Sequence, residues 1–242
     1  MNKKIRLQVK LFTSFIKSSG TIVLLFWEMI LGILSNIVSV LIFIKIRGEV
    51  LEKELLPLDL SILQFFYHLR SPVLNKVMIA ITYLGGEAMI GFGILIAIFL
   101  LLERHRREAM LFTFILGMAE IIDLTLKNLV QRPRPQFHPL VIAKDFSFPS
   151  GHAMDSFVFY LTLSYLFFHL SKNKKIAMII TALSLILILL IGISRIYLGV
   201  HYPTDVVAGY LGGLFWLTSV LLINKTLIFY KVFKETQDKL PN

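Results

Sequence analysis

Residues 176–205 read IAMIITALSLILILLIGISRIYLGVHYPTD. The stretch opens as an unbroken apolar run and closes on Ser194, Arg195, His201 and Asp205. About 20 apolar residues in a helix cross the ~30 Å hydrocarbon core of a bilayer. A helix on the surface of a soluble domain would instead carry a polar face. The run is therefore read as a membrane span. A cation, an imidazole and a carboxylate follow at its end, and a second apolar run starts beyond Thr204. An all-α membrane fold with its chemistry at one end of the spans follows from this one stretch.

The composition agrees. Hydrophobic residues make up 56% of the 242-residue chain and the mean hydropathy is +0.76, where a soluble domain is close to half apolar. The absence of cysteine excludes disulfides, thiolate metal sites and a cysteine nucleophile. A net charge of +10 raises the question of nucleic acid. The cations cluster between apolar runs, where membrane topology and anionic lipid account for them, so membrane lipids are the expected partners and nucleic acid is not.

Six spans are predicted, at 21–45, 78–102, 109–127, 152–170, 176–194 and 204–224. The basic start (Lys3, Lys4, Arg6, Lys10, Lys17) resembles that of a signal peptide. The run that follows is longer than a signal core and lacks a small-residue cleavage site, so it is read as a retained first span, with Glu28 blurring its start. Gly85-Gly86-Glu87 makes the second span irregular. Residues 56–72 carry a helical stripe (Leu58, Ile62, Phe65, Phe66, Leu69) between Pro57, suited to a first turn, and Pro72, suited to a stop, with Asp59, His68 and Arg70 among them. They are read as a helix lying in the outer interface, the alternative being a connecting helix packed on the bundle. The expected fold is an all-α, six-span transmembrane helical bundle with an interfacial helix between spans 1 and 2, forming one domain over 1–242.

The loops set the orientation. Besides the N-terminal cations, one side collects Arg104, Arg106, Arg107, Lys172, Lys174, Lys175, Lys225, Lys231, Lys234 and Lys239. The positive-inside rule puts that side, with both termini, in the cytoplasm. The chemically distinctive blocks then face the extracytoplasmic side. Asn224-Lys225-Thr226 fits a glycosylation sequon but falls on the cytoplasmic side, so it is read as chance.

Those blocks are three: Lys127 with Arg134-Pro135, Pro149-Ser150-Gly151-His152, and Ser194-Arg195 with His201 and Asp205. Lys127, Arg134 and Arg195 suit a phosphoester, the arginines as planar forks and the lysine as a compact charge. Charges at the ends of spans are costly and hence functional candidates, an interfacial anchor being the alternative for any one of them. Ser150 suits a helix N-cap, and Gly151 leaves the helix start open to an anion. His152, in the first turn, can protonate a leaving oxygen, the alternative for this block being a capped helix start alone. Asp205 lies four residues after His201 and, in a helical turn, can orient its imidazole, which lets His201 attack phosphorus, the alternative being a structural His–Asp pair capping a helix. Glu120, Asp123 and Lys127 share a helix face, so Asp123 or Glu120 is expected to pair with Lys127 or another basic group, either setting its position or forming a plain structural ion pair deeper in the bundle. Asp155 lies one turn after His152 and can contact a motif cation. Arg132, His138 and Lys144 belong to the loop between the first two blocks and either touch the headgroup or are solvated.

In residues and spacing the three blocks match the signature of the type 2 phosphatidic acid phosphatases, or lipid phosphate phosphatases, throughout. The chain is identified by this resemblance as a member of that family, which shares its core with bacterial class A acid phosphatases and vanadium haloperoxidases. The resemblance implies a phosphohistidine formed on His201, Asp205 orienting it, and His152 as proton donor to the leaving group. Lys127, Arg134, Arg195, Ser150 and Gly151 would hold the phosphate, with no metal and no cofactor. The expected substrate is a lipid phosphomonoester or diphosphate, namely phosphatidate, phosphatidylglycerophosphate or undecaprenyl diphosphate. A lipid phosphotransferase and a non-catalytic lipid-binding protein on the same fold remain the rivals. Neither the preferred lipid nor the oligomeric state can be read from the sequence.

Overall fold

The structure, a computed structural model, describes residues 3–237, with side chains from residue 26 to 230 and at Lys234. The N-terminal cations, Lys231 and Lys239 lie outside the described side chains. The described residues form eight helices: α1 (Lys3–Leu51), α2 (Leu56–His68), α3 (Pro72–Tyr83), α4 (Glu87–Leu102), α5 (Arg106–Val130), α6 (Gly151–Leu170), α7 (Lys174–Tyr197) and α8 (Pro203–Gln237). Six segments are long and apolar enough to cross a bilayer, with α3 and α4 together making the second. Their outward faces are strongly apolar, Leu102 being 76% exposed beside Ile90, Leu183 and Phe99. Surfaces of that kind belong in lipid rather than water.

The second span differs from expectation at its start. Pro72 does not stop a helix but begins one: Ser71 caps it by accepting from Leu74 N at 3.3 Å, and Pro72 takes the first turn, where no N–H is needed. The span therefore begins six residues before the predicted 78, and the break at Gly85-Gly86 falls in its middle. Both glycines have close side-chain neighbours. A Cβ on Gly85 would lie 2.5 Å from Ile191 Cγ2 of α7, and one on Gly86 would lie 2.8 Å from His152 Nε2.

The chain divides into two compact units, residues 39–217 and residues 1–38 with 218–242. In the larger unit α6 packs chiefly on α7 and α5. Its core gathers Met89, Leu100, Phe112, Phe159, Leu166, Ile188 and Ile191. Polar ties cross the helices as membrane packing favours: Ser164 Oγ donates to Ser184 Oγ at 3.1 Å, and Trp216 Nε1 donates to Ile115 O at 2.8 Å. In the smaller unit Asn36 Nδ2 donates to Ser219 Oγ at 2.9 Å, and Glu28 pairs with Lys225. Glu28 thus has a partner within its own unit and does not shorten α1.

Candidate active site

Successive spans alternate in direction, so the C-terminal ends of α5 and α7 meet the N-terminal ends of α6 and α8. The site forms where these four ends converge. Gly199, at φ +74°, reverses the chain after α7, a conformation glycine adopts without strain. That turn directs His201 back beneath the loop formed by residues 131–150. The loop is fixed by Leu140 N donating to Leu198 O at 2.9 Å, Ser147 N to Arg132 O at 2.8 Å and Ser150 N to Asp205 O at 3.0 Å.

His201 is 1% exposed. Its Nδ1 lies 2.8 Å from the Ser147 carbonyl, which can only accept, so Nδ1 carries the proton. Nε2 then holds the lone pair and accepts from Arg134 Nη1 at 2.9 Å. Burial pushes the His201 pKa well below the ordinary histidine range, and Arg195, Arg134 and Lys127 push it further. The result is a neutral imidazole with its lone pair in a ring of cations.

Asp205 acts on this ring less directly than the spacing implies. Its Oδ2 stands 3.6 Å from Nδ1, and the hydrogen bond goes to Ser147 O instead. Asp205 accepts from Ser147 Oγ, from Tyr202 N at 2.9 Å and from Arg132 Nη1 at 2.5 Å. It therefore holds the segment whose carbonyl orients His201. The sequence reading missed the rest of this scaffold. Arg132 is buried, neither solvated nor open to a headgroup. Its Nη2 donates to Asp59 Oδ2 at 2.7 Å, its Nη1 to Thr204 Oγ1 at 2.8 Å, and it lies 3.9 Å over the Tyr202 ring. Burial opposes its charge, but Asp205 and Asp59 outweigh that and raise its pKa. Asp59, on α2, also accepts from Thr204 N at 3.0 Å and Thr204 Oγ1 at 2.6 Å. The helix expected to lie in the interface is thus pinned to the first turn of α8. An acid within an amphipathic stripe was the signal the sequence offered for it.

The cations face one cavity of about 540 Å³, which Lys127, Arg134, Asp145, His152, Arg195 and His201 help to line. Lys127 Nζ pairs with Asp123 Oδ2 at 2.8 Å, the acid–lysine pairing expected on α5. Gly151 is needed beside that pair, since a Cβ there would lie 2.6 Å from Asp123 Oδ2. Arg195 Nη1 donates to Thr82 Oγ1 at 2.8 Å. Ser150 occupies the N-cap position of α6, but its hydroxyl makes no cap bond. Among the described residues nothing partners Ser150 Oγ or Arg195 Nε, both buried. Asp145 was not anticipated: its carboxylate bonds both Lys127 Nζ and Arg134 Nη2. Of the loop residues, Lys144 is exposed, and His138 packs its ring on Tyr67 and gives its carbonyl to Arg70 Nη1 at 2.6 Å.

A second, apolar cavity of about 480 Å³ lies between α4, α5 and α6 and shares Met89, Ile90, Glu120 and Asp155 with the first. A cationic pocket holding two histidines therefore continues into an apolar cleft between spans. Fold and site together define an integral membrane enzyme of phosphate-ester chemistry.

The chain belongs to the PAP2 superfamily, whose family model matches residues 108–229. Phosphatidylglycerophosphatase B of Bacillus subtilis (strain 168) is 37% identical over 151 residues, 60% of this chain and 73% of that protein. Undecaprenyl-diphosphatase BcrC of the same organism is 33% identical over 180 residues, 69% of this chain and 86% of that protein. The crystal structure of a transmembrane PAP2 type phosphatidylglycerolphosphate phosphatase from Bacillus subtilis matches with a TM-score of 0.75 at 30% identity, over 79% of this chain and 96% of that one. That of Aquifex aeolicus LpxE matches with a TM-score of 0.56 at 27% identity, over 68% and 94%.

Proposed function

We propose that this protein removes phosphate from a lipid phosphomonoester or diphosphate through a phosphohistidine on His201, at the extracytoplasmic face of a cell membrane. The observation that carries the proposal is the setting of His201: Nδ1 lies on the Ser147 carbonyl and Nε2 on Arg134, in a cavity that Lys127 and Arg195 also line. Nε2 attacks phosphorus, and the bond from phosphorus to the leaving oxygen breaks while the cations, Ser150 and the start of α6 hold the equatorial oxygens. His152 gives its proton to the leaving oxygen, which departs as the lipid alcohol or lipid phosphate. His152 then takes a proton from water as that water attacks the phosphohistidine. Inorganic phosphate is released and both histidines are restored. Asp205 acts through Ser147 and Arg132 to keep Nδ1 protonated and the ring aimed.

The apolar cleft next to the cavity supports an amphiphilic substrate, and the names of the relatives support phosphatidylglycerophosphate and undecaprenyl diphosphate as candidates beside phosphatidate. The orientation is supported by the α4–α5 and α6–α7 connections. These carry Arg104, Arg106, Lys172, Lys174 and Lys175 at the opposite end of the helices from the site. The test is phosphate release from these three lipids by purified protein in detergent with EDTA, beside His201→Ala. Release that survives EDTA and is lost in the variant supports the reading. A folded protein that releases nothing from any of them refutes it.

A further inference from the structure

Glu120 and Asp123 on α5 and Asp155 on α6 all line the phosphate cavity, and Glu120 and Asp155 also line the apolar cleft. The carboxylates therefore stand at the passage from one to the other. Glu120 lies ten residues before Val130, the end of α5, which at 1.5 Å per residue is ~15 Å below the mouth of the site. An ionisable group at about half the depth of the bilayer is costly and calls for a functional reason. No cation is paired with Glu120 among the described residues. Asp123 is 1% exposed, and its Oδ2 bonds Lys127. Its Oδ1 has no hydrogen-bond partner among the described residues, and neither does the buried Oδ1 of Asp155. Asp155 shares a side-chain hydrogen bond with Glu120 and is within electrostatic reach of Asp123 and Lys127.

The direction of the reaction says what these acceptors meet. If His201 attacks in line, the leaving group departs on the side of His152. Asp155 lies one helical turn beyond His152, and the cleft beyond it is the way out for a lipid tail. Lys127, Arg134 and Arg195 line the cavity, and Glu120 and Asp155 line its passage to the cleft. Resting on the phosphatase reading above, we propose that Glu120, Asp123 and Asp155 form a leaving-group subsite that selects lipid phosphomonoesters bearing a hydroxyl beside the ester carbon and rejects diphosphates. The unoccupied oxygens, Asp123 Oδ1 and Asp155 Oδ1, bind a hydroxyl and are left unpaired when the substrate lacks one, which is where hydrogen-bonding sites discriminate most. In a prenyl diphosphate the second phosphate is joined directly to the leaving oxygen and meets the carboxylates at once. In phosphatidylglycerophosphate the second phosphate lies beyond a three-carbon linker, and the middle carbon of that linker carries the hydroxyl.

The experiment measures kcat/KM in detergent for phosphatidylglycerophosphate, its analogue without the linker hydroxyl, and undecaprenyl diphosphate, for the wild type, Glu120→Gln and Asp155→Asn. The wild type is expected to favour phosphatidylglycerophosphate by roughly tenfold over the deoxy analogue and by more over the diphosphate. Each variant is expected to lower the preference over the diphosphate at least severalfold. A wild type that hydrolyses all three lipids without this preference overturns the proposal while leaving the phosphatase reading intact, as do folded variants with unchanged ratios. A wild type that hydrolyses none overturns the phosphatase reading itself. Should a variant fail to fold, the wild-type comparison with the deoxy analogue decides.

Discussion

Lys127 Nζ lies 2.5 Å from Asp145 Oδ2, so a cation expected to hold phosphate already holds a carboxylate from the loop above it. The other oxygen of Asp145 is 2.5 Å from Arg134 Nη2. Burial works to raise the Asp145 pKa, but the hydrogen bonds and charges of Lys127 and Arg134 outweigh it, so the carboxyl stays ionised well below its ordinary range. The carboxylate and a phosphate oxygen compete for the same donors. With its side chain 47% exposed, Asp145 contributes at the scale of a solvent-screened ion pair, about 1 kcal/mol. Asp145→Asn is expected to tighten inhibition by orthovanadate roughly fivefold. Weaker inhibition in the variant would show instead that Asp145 spaces the two cations for the substrate.

Arg132, Asp59, Thr204 and Asp205 form one buried network linking α2, the loop after α5 and the start of α8. Removing one partner of such a pair strands a buried charge and costs about 3–5 kcal/mol. Asp59→Ala is expected to lower the thermal midpoint sharply and to reduce turnover, because Arg132 then loosens its hold on Asp205. Adding Arg132→Met to Asp59→Ala should cost much less than the sum of the two single changes, since residues of one network are not additive. Additive losses in thermal unfolding would show that the pair does not act as a unit.

The six spans and the residues around the cavity were legible because apolar length and block spacing are local properties of the chain. What the sequence hid was long-range pairing. Asp59 meets Arg132 across 73 positions and Thr204 across 145, and no periodicity encodes either. His201 and Asp205 illustrate a different limit. Four residues apart, they suggest a direct bond, yet the turn at Gly199 brings the Ser147 carbonyl to Nδ1 first. The start of the second span was misplaced because Pro72 was read as a stop, whereas Ser71 before it makes it a start.

The break at Gly86 is expected to be sensitive to a single methyl group. A Cβ there would lie 2.8 Å from His152 Nε2, and the flexible end of a side chain yields more readily than backbone. The atom that yields is the proposed proton donor, and a misplacement of this kind far exceeds its effect on folding. Gly86→Ala is expected to cut kcat at least tenfold with little change in the thermal midpoint. Gly91→Ala, whose Cβ meets nothing within 4 Å, should leave both unchanged. A variant at Gly86 with wild-type kcat would mean that His152 does not donate from this position.

The burial of His201 gives the protein a stability that depends on pH. An unfolded histidine takes up its proton near pH 6.5, whereas in the fold burial and the surrounding cations hold the pKa well below that. Below about pH 6.5 the unfolded chain therefore binds the proton and the folded chain does not. Stability is full above that value and is lost as the pH falls, at up to ~1.4 kcal/mol per pH unit from this one group. The neutral nucleophile persists over the same interval, so His201 should impose no acid limb near pH 6.5 on kcat/KM. His201→Gln removes the titration along with activity. Its thermal midpoint should fall less steeply than that of the wild type between pH 7 and pH 5. Parallel curves would mean that His201 gains its proton in the folded protein as readily as in the unfolded chain. A histidine so protonated has no lone pair with which to attack phosphorus, so the same result would also count against the phosphohistidine.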